Sequence, residues 1–235
     1  MRLHFHITAI NECSVLIDYS QSTTTQLLPH IGEVSHRLSK QEVDGILNVT
    51  PSFNSVLIEY LPFRITQREL MTYLENIVNT IAAKPTIDDT SSSIRLPVFY
   101  DERVGPDIST YQNKGISLDK LIEYHTLATY TIGAIGFTPG FAFMQGLNSK
   151  LQLPRLKSPR LRIPAGSVAI AENLTAVYPT ITPGGWNIIG SCPLSLYDPA
   201  RSPMIPFEVG MTVRFHSIDE SEFIALGGVI PDQWC

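Results

Sequence analysis

The chain has 235 residues, of which 43% are hydrophobic and 17% charged. That charge content lies below the roughly 25% of an average globular chain, and with the apolar content it excludes long intrinsic disorder. The length suits one large domain or two small ones whose core needs neither metal nor disulfide, and a formal net charge of −5 argues against a nucleic-acid binder.

The first predicted element is a half-buried strand, in which Leu3, Phe5 and Ile7 alternate with polar residues. The same stretch lacks the apolar core of a signal peptide. Residues 14–19 read as a second strand. Leu27, Ile31, Val34 and Leu38 recur at helical spacing, with Pro29 in the first turn, where its missing N–H costs little. Residues 43–49 and 55–60 read as strands around a turn at 51–54. Thr66 and Glu69 have capping-box spacing, ahead of a helix whose apolar face is Leu70, Leu74, Ile77, Val78 and Ile81. The strand-helix-strand-strand-helix order predicts a ferredoxin-like α+β domain over residues 1–84. Residues 85–93, small and polar, read as a linker.

The second predicted domain, residues 94–235, opens with a strand at 94–100 and a helical pattern near 107–112. Ser117 can cap a further helix with Leu118, Leu121, Ile122 and His125 on one face. Beyond Ala128 no helix is predicted. Short apolar runs instead alternate with turn signals at Thr138-Pro139-Gly140, Ile163-Pro164-Ala165-Gly166, Thr182-Pro183-Gly184-Gly185 and Asp198-Pro199, the pattern of a β-barrel or sandwich. Eleven of the 17 prolines fall between Pro139 and Pro231. The uncharged stretch 126–149 carries too many glycines for a membrane span and reads as a buried strand and loop. A cytoplasmic protein without membrane attachment is expected.

Several chemistries find no residues to carry them. The cysteines, Cys13, Cys192 and Cys235, are odd in number and far apart, which excludes a zinc motif and suits a reducing compartment. His4 and His6 share one face of a predicted strand, and a solvated face explains them without a metal. No metal site is expected. The GxxxxGKS/T phosphate loop, GxGxxG, HExxH and GxSxG are all missing.

What remains is positional. Between Glu123 and Glu172 there is no acid, while Lys150, Arg155, Lys157, Arg160 and Arg162 give a local charge of +5. Arg155 and Arg160 each follow a proline, which restricts the backbone that presents them. A guanidinium fork suits carboxylate or phosphate, so one reading is an anion-binding edge and the other an exposed basic loop. Phe137, Pro139, Gly140 and Phe141 form an aromatic turn, and Gly184-Gly185-Trp186 places an indole after two glycines. These residues either wall a pocket for a small ring or serve turns and fill a barrel core.

The runs Gly136-Phe137-Thr138-Pro139-Gly140-Phe141-Ala142-Phe143, Pro154-Arg155, Pro159-Arg160, Ile163-Pro164-Ala165-Gly166-Ser167-Val168, Val177-Tyr178-Pro179 and Pro183-Gly184-Gly185-Trp186-Asn187-Ile188-Ile189-Gly190 together resemble the family of the 5-oxoprolinase B subunit. That family includes KipI-type kinase inhibitors and proteins once called allophanate hydrolase subunit 1. Gly105-Pro106-Asp107, His125 and residues 49–60 also fit its pattern.

The resemblance implies an N-terminal α+β domain followed by a cyclophilin-like β-barrel, and pairing with a 5-oxoprolinase C subunit in a carboxyltransferase-related arrangement. With the A subunit, the set is implied to open 5-oxo-L-proline to L-glutamate using ATP. Arg155 and Arg160 are then expected to hold carboxylate or phosphate, with His125 as acid or base or else a satisfied core histidine. Phe137, Pro139, Gly140, Phe141, Tyr178, Gly184, Gly185 and Trp186 are expected to shape the substrate site. The alternative is a KipI-type regulator that binds the helical hairpin of a sensor histidine kinase. A blander reading is a peptide-binding cyclophilin-like module. The chain departs from the family at three places: Glu172-Asn173-Leu174-Thr175-Ala176 stands where Gly-Gly-Gln-Thr-Gly is usual, Tyr100-Asp101 where Tyr-Gly is, and Asn11-Glu12 where Gly-Glu or Gly-Asp is.

Overall fold

A computed structural model describes residues 4–20, 26–40, 43–82, 93–232 and 234. The chain divides into two compact units: residues 1–91 with Glu208–Met211, and residues 92–207 with 212–235. Leu3, most of the expected linker and Cys235 lie outside the described residues.

The first unit is a four-stranded antiparallel sheet with two helices. Strands β1 (His6–Asn11) and β2 (Ser14–Asp18) form a hairpin, α1 (Leu27–Lys40) follows, then β3 (Ile46–Ser52), β4 (Ser55–Tyr60) and α2 (Gln67–Ala82). The strand order is β1-β2-β4-β3. Passing β2 to β3 through a helix while β4 inserts between them matches the split core of a ferredoxin-like unit. That fold, however, places its last strand after the second helix, whereas here the edge beside β2 is taken by β1 from the N-terminal hairpin. The reason is local: Ser14–Asp18 follows β1 across a two-residue turn, so β2 takes β1 as its neighbour on that edge. The capping box is present, with the Thr66 N–H donating to Glu69 Oε2 (3.0 Å) and the Glu69 N–H to Thr66 Oγ1 (3.3 Å). All five apolar positions of the predicted α2 face are buried.

The second unit is a nearly closed β-barrel. Its strands are β5 (Ser93–Val98), β6 (Tyr130–Ile135), β7 (Ala142–Gln145), β9 (Ser167–Ala171), β10 (Leu174–Val177), β12 (Asn187–Ser191) and β13 (Thr212–Ser217), in the order β12-β9-β10-β7-β6-β13-β5. Just past β5, Phe99 exchanges main-chain hydrogen bonds with Ser191 at the end of β12, both 2.9 Å, which joins the two edges. Closure removes edges that would otherwise pair with other chains. Two further strands, β8 (Arg160–Ile163) and β11 (Thr182–Gly184), form a separate ribbon. Helices α3 (Ile108–Gln112) and α4 (Leu118–Thr126) lie where the sequence predicts them, and the Ser117 hydroxyl caps α4.

Past Ala128, where none is predicted, stands a helix, α5 (Glu220–Ala225), capped by Asp219 Oδ1, which accepts from the Glu222 N–H at 2.8 Å. It buries only Phe223, too little apolar periodicity to read from sequence. Among the described residues no helix is long and apolar enough to cross a membrane.

Candidate anion-binding site on the barrel

The aromatic residues singled out in the sequence do come together. Thr138-Pro139-Gly140-Phe141 makes the tight turn between β6 and β7: the Phe141 N–H donates to the Thr138 carbonyl at 3.0 Å, and Gly140 has φ +85°. Proline then glycine at the two central positions is what a type II turn demands. The turn swings Phe141 inward, where its ring packs edge-on to Phe143, Tyr178 and Trp186 at centroid distances of 4.9, 5.1 and 5.4 Å. Phe141, Tyr178 and Trp186 are buried, so they fill one another's space rather than wall an open chamber. Phe137 differs: at φ +70° and 63% exposed, it stands at the tip of the turn, edge-on to Phe141 at 5.4 Å. A bulky side chain in that region of backbone is uncommon and stores strain.

The glycines divide in the same way. A Cβ on Gly140 would meet the Leu196 carbonyl oxygen at 2.7 Å, and one on Gly184 would overlap the Tyr178 hydroxyl. Both glycines let the chain approach itself. Gly185 meets nothing closer than 3.6 Å.

The two arginines, alike in sequence, have different surroundings. Arg160 is mostly buried and donates two parallel hydrogen bonds to Asp107, Nη1 to Oδ2 at 2.9 Å and Nη2 to Oδ1 at 2.8 Å. Asp107 also accepts from the Ile188 N–H at 2.7 Å, which locks the start of α3 to β12 and both to β8. The Trp234 ring covers the same guanidinium at 5.9 Å and anchors its own N–H on the Arg103 carbonyl at 2.9 Å. This fork is committed to the fold.

Arg155 is exposed, and among the described residues no carboxylate lies within ion-pair distance of it. Its backbone is nonetheless held on both sides. The Asn187 side-chain amide donates to the Pro154 carbonyl at 2.9 Å, and the Leu156 N–H donates to the Gly185 carbonyl at 2.7 Å. Its guanidinium lies 6.0 Å from the Trp186 ring centroid, a cation–π distance. Burial pushes the Tyr178 hydroxyl up to about 12, opposed by the Trp186 main chain and by the fields of Arg155 and Arg160, so both cations reach this corner of the barrel.

His125 lies elsewhere, in the sealed core. Its Nδ1 is 2.7 Å from the Tyr100 hydroxyl and its Nε2 is 3.1 Å from Thr175 Oγ1. Thr175 gives its proton to the Ala169 carbonyl at 3.0 Å. It must therefore accept from Nε2–H, which leaves Nδ1 to accept from Tyr100. Burial lowers the ring to about 3, and Phe215 stacks on it at 4.5 Å. With both nitrogens engaged and no exposed surface, the ring has no proton to exchange with a ligand. This is the satisfied core histidine of the two readings.

Three further residues matter to this corner: Asp107 and Asn187 stand in runs that carry the family resemblance but without any stated role, and Trp234 carries no mark in the sequence. Asp107 is 53 positions from Arg160, and Asn187 is 33 from Pro154. Trp234 reaches the cluster from the far end of the chain.

Known proteins agree on the family. The signature described as carboxyltransferase domain, subdomain C and D, matches residues 5–207. A Bacillus subtilis (strain 168) protein named as the B subunit of 5-oxoprolinase is 29% identical over 240 residues, covering 96% of this chain and 98% of its own. The protein of that name from Escherichia coli O157:H7 is 31% identical over 207 residues, covering 88% and 93%. The solved structure of TTHA0988 has a TM-score of 0.75 at 28% identity; it covers 88% of this chain, which spans only 40% of that longer one. With a family signature over most of its length and relatives aligned nearly end to end, the chain belongs to the family of carboxyltransferase domain, subdomains C and D.

Proposed function

We propose that this chain is the B subunit of an ATP-dependent 5-oxoprolinase, which opens 5-oxo-L-proline to L-glutamate together with its A and C subunits. The observation that carries the reading is the nearly end-to-end alignment with relatives bearing that subunit's name. The alternative of a sensor-kinase regulator draws no support from these relatives.

A lactam is an unreactive amide, and the substrate carries one carboxylate. Transfer of the γ-phosphoryl group to the amide oxygen, with release of ADP, makes the ring carbon open to attack. Water then adds there, the ring C–N bond breaks with the nitrogen taking a proton, and a second water releases inorganic phosphate. The chain has no Walker-type phosphate loop, and among the described residues no three metal-ligating groups gather. ATP is therefore assigned to the assembly rather than to this chain by itself.

Arg155 is the cation offered to substrate carboxylate or to the phosphoryl group, against the Trp186 face, because a fixed cation stabilises accumulating negative charge. Arg160 and Asp107 hold the wall behind it. Phe137 is the exposed aromatic beside the cluster, and Gly185 leaves the main chain open next to Arg155.

The test is glutamate release from 5-oxoproline by the three co-purified subunits. Arg155→Ala is expected to lower kcat/KM by about a hundredfold with the assembly and its Tm unchanged. Activity equal to wild type would remove Arg155 from the chemistry. No hydrolysis by the wild-type assembly would overturn the reading.

A further inference from the structure

The ribbon of β8 and β11 breaks the alternation of a regular strand. Arg160 and Ile163 are three residues apart, yet both turn inward, the first to Asp107 and the second into the core. The register explains this. Thr182 stands opposite Ile163 and Gly184 opposite Arg160, so Leu161 and Arg162 together face the single residue Pro183. Proline has no N–H for the ladder, and a bulge there re-aims the strand. The consequence is that Leu161 and Arg162 both point outward. Leu161 is 84% exposed, the highest value for a large apolar side chain among the described residues, and Ile181 just before β11 is exposed as well.

Basic residues lie along the same ribbon, with Arg162 next to Leu161 in the bulge. The Leu156 N–H on the Gly185 carbonyl brings the loop carrying Arg155 and Lys157 to the end of the ribbon. Lys157 and Arg162 are exposed, and among the described residues neither has a carboxylate within ion-pair distance.

We propose that this bulged ribbon is the surface on which the C subunit of the assembly docks, and that the C subunit presents acidic side chains around an apolar recess that receives Leu161. The proposal rests on reading the chain as one component of a multi-chain enzyme. An exposed apolar side chain beside an arginine suits a protein interface. A chain of net −5 is repelled at long range by a nucleic acid or an anionic membrane, and two apolar side chains are too few to enter a bilayer. An acidic patch on a protein is met only at short range, where the local cations dominate. One relative extends well beyond the region this chain matches, so a further body of protein accompanies that region there.

The experiment measures binding of the purified C subunit to the full chain at low and high salt. Wild type is expected to bind, and more weakly as salt rises. The double variant Lys157→Glu/Arg162→Glu and the single variant Leu161→Asp are each expected to weaken binding at least about tenfold, with circular dichroism and Tm of the isolated chain unchanged. Leu161→Ser serves as the milder second variant should Leu161→Asp lower Tm. Glu75→Lys on α2 is expected to change nothing. Variants that equal wild type in binding the C subunit would overturn the proposal. So would binding of wild type to phosphatidylserine vesicles or to single-stranded RNA that the variants lose while still holding the C subunit. If docking responds to the variants but the wild-type assembly leaves 5-oxoproline intact, the enzymatic reading fails and the docking surface stands. If hydrolysis is absent and wild type does not bind the C subunit, both fail.

Discussion

Without Asp107, three donors would lose their acceptor at once: two from Arg160 and the main-chain amide of Ile188. Removing one partner of a buried pair leaves an uncompensated charge, which costs more than the pair itself contributes. Asp107→Ala is therefore expected to destabilise the barrel unit by about 3 kcal/mol in urea unfolding followed by Trp fluorescence. A change below about 1 kcal/mol would mean that water replaces the carboxylate. Arg155→Ala, by contrast, removes an exposed cation with no carboxylate beside it and is expected to leave the urea midpoint unmoved. The sequence presents these arginines as equals, each after a proline. What separates them is an acid 53 positions from one of them, and spacing along the chain carries no trace of that pairing.

At the scale of elements, legibility follows the range of the forces. Helix α2 and its capping box depend on residues three and four apart, so pattern alone locates them. The turn at Pro139-Gly140 is legible for the same reason. The ferredoxin-like expectation is met only in the split core of β2, β4 and β3: the remaining edge is taken by β1 of the N-terminal hairpin, and which strand takes an edge leaves no periodicity. Gly184 and Gly185 show the same limit. Both read alike, as room for a ligand or as turn residues, but of the two only Gly184 is crowded, by Tyr178 and by Ile163 Cδ1 at 2.9 Å from an ideal Cβ. Gly184→Ala is expected to cost about 1–3 kcal/mol by overpacking, and Gly185→Ala less than about 1 kcal/mol. Equal losses in thermal unfolding would refute the distinction. Glu172 is a further departure: with φ +53° it holds a conformation in which glycine, the residue the family resemblance would put there, is unstrained.

For the molecule as a whole, acid is the stress to which both units are built to respond. Each buries one histidine in neutral form: His30, which burial lowers to about 4 beside the Tyr19 hydroxyl at 3.2 Å, and His125, lowered to about 3. An unfolded histidine takes a proton near pH 6.5, while these two in the folded state do not. Stability is thus complete above pH 6.5 and falls as pH drops, by about 1.4 kcal/mol per unit for each histidine, until the folded rings titrate near 4 and 3. Urea midpoints measured from pH 7 to pH 5 are expected to fall, and His30→Leu and His125→Leu are each expected to flatten the slope whatever their effect on absolute stability. A slope unchanged in both variants would locate the acid sensitivity elsewhere.

Residues Glu208–Met211 belong to the first unit although their chain neighbours on both sides belong to the second. They pack on α1 so closely that a Cβ on Gly32 would overlap the Val209 carbonyl oxygen, while His36 reaches Glu208 at 3.2 Å. During synthesis, then, the N-terminal sheet and helices emerge more than a hundred residues before the segment that finishes covering α1. The ribosome must deliver most of the barrel before the first unit can be complete, and a fragment cut at the apparent boundary would hold a helix still waiting for its last neighbour.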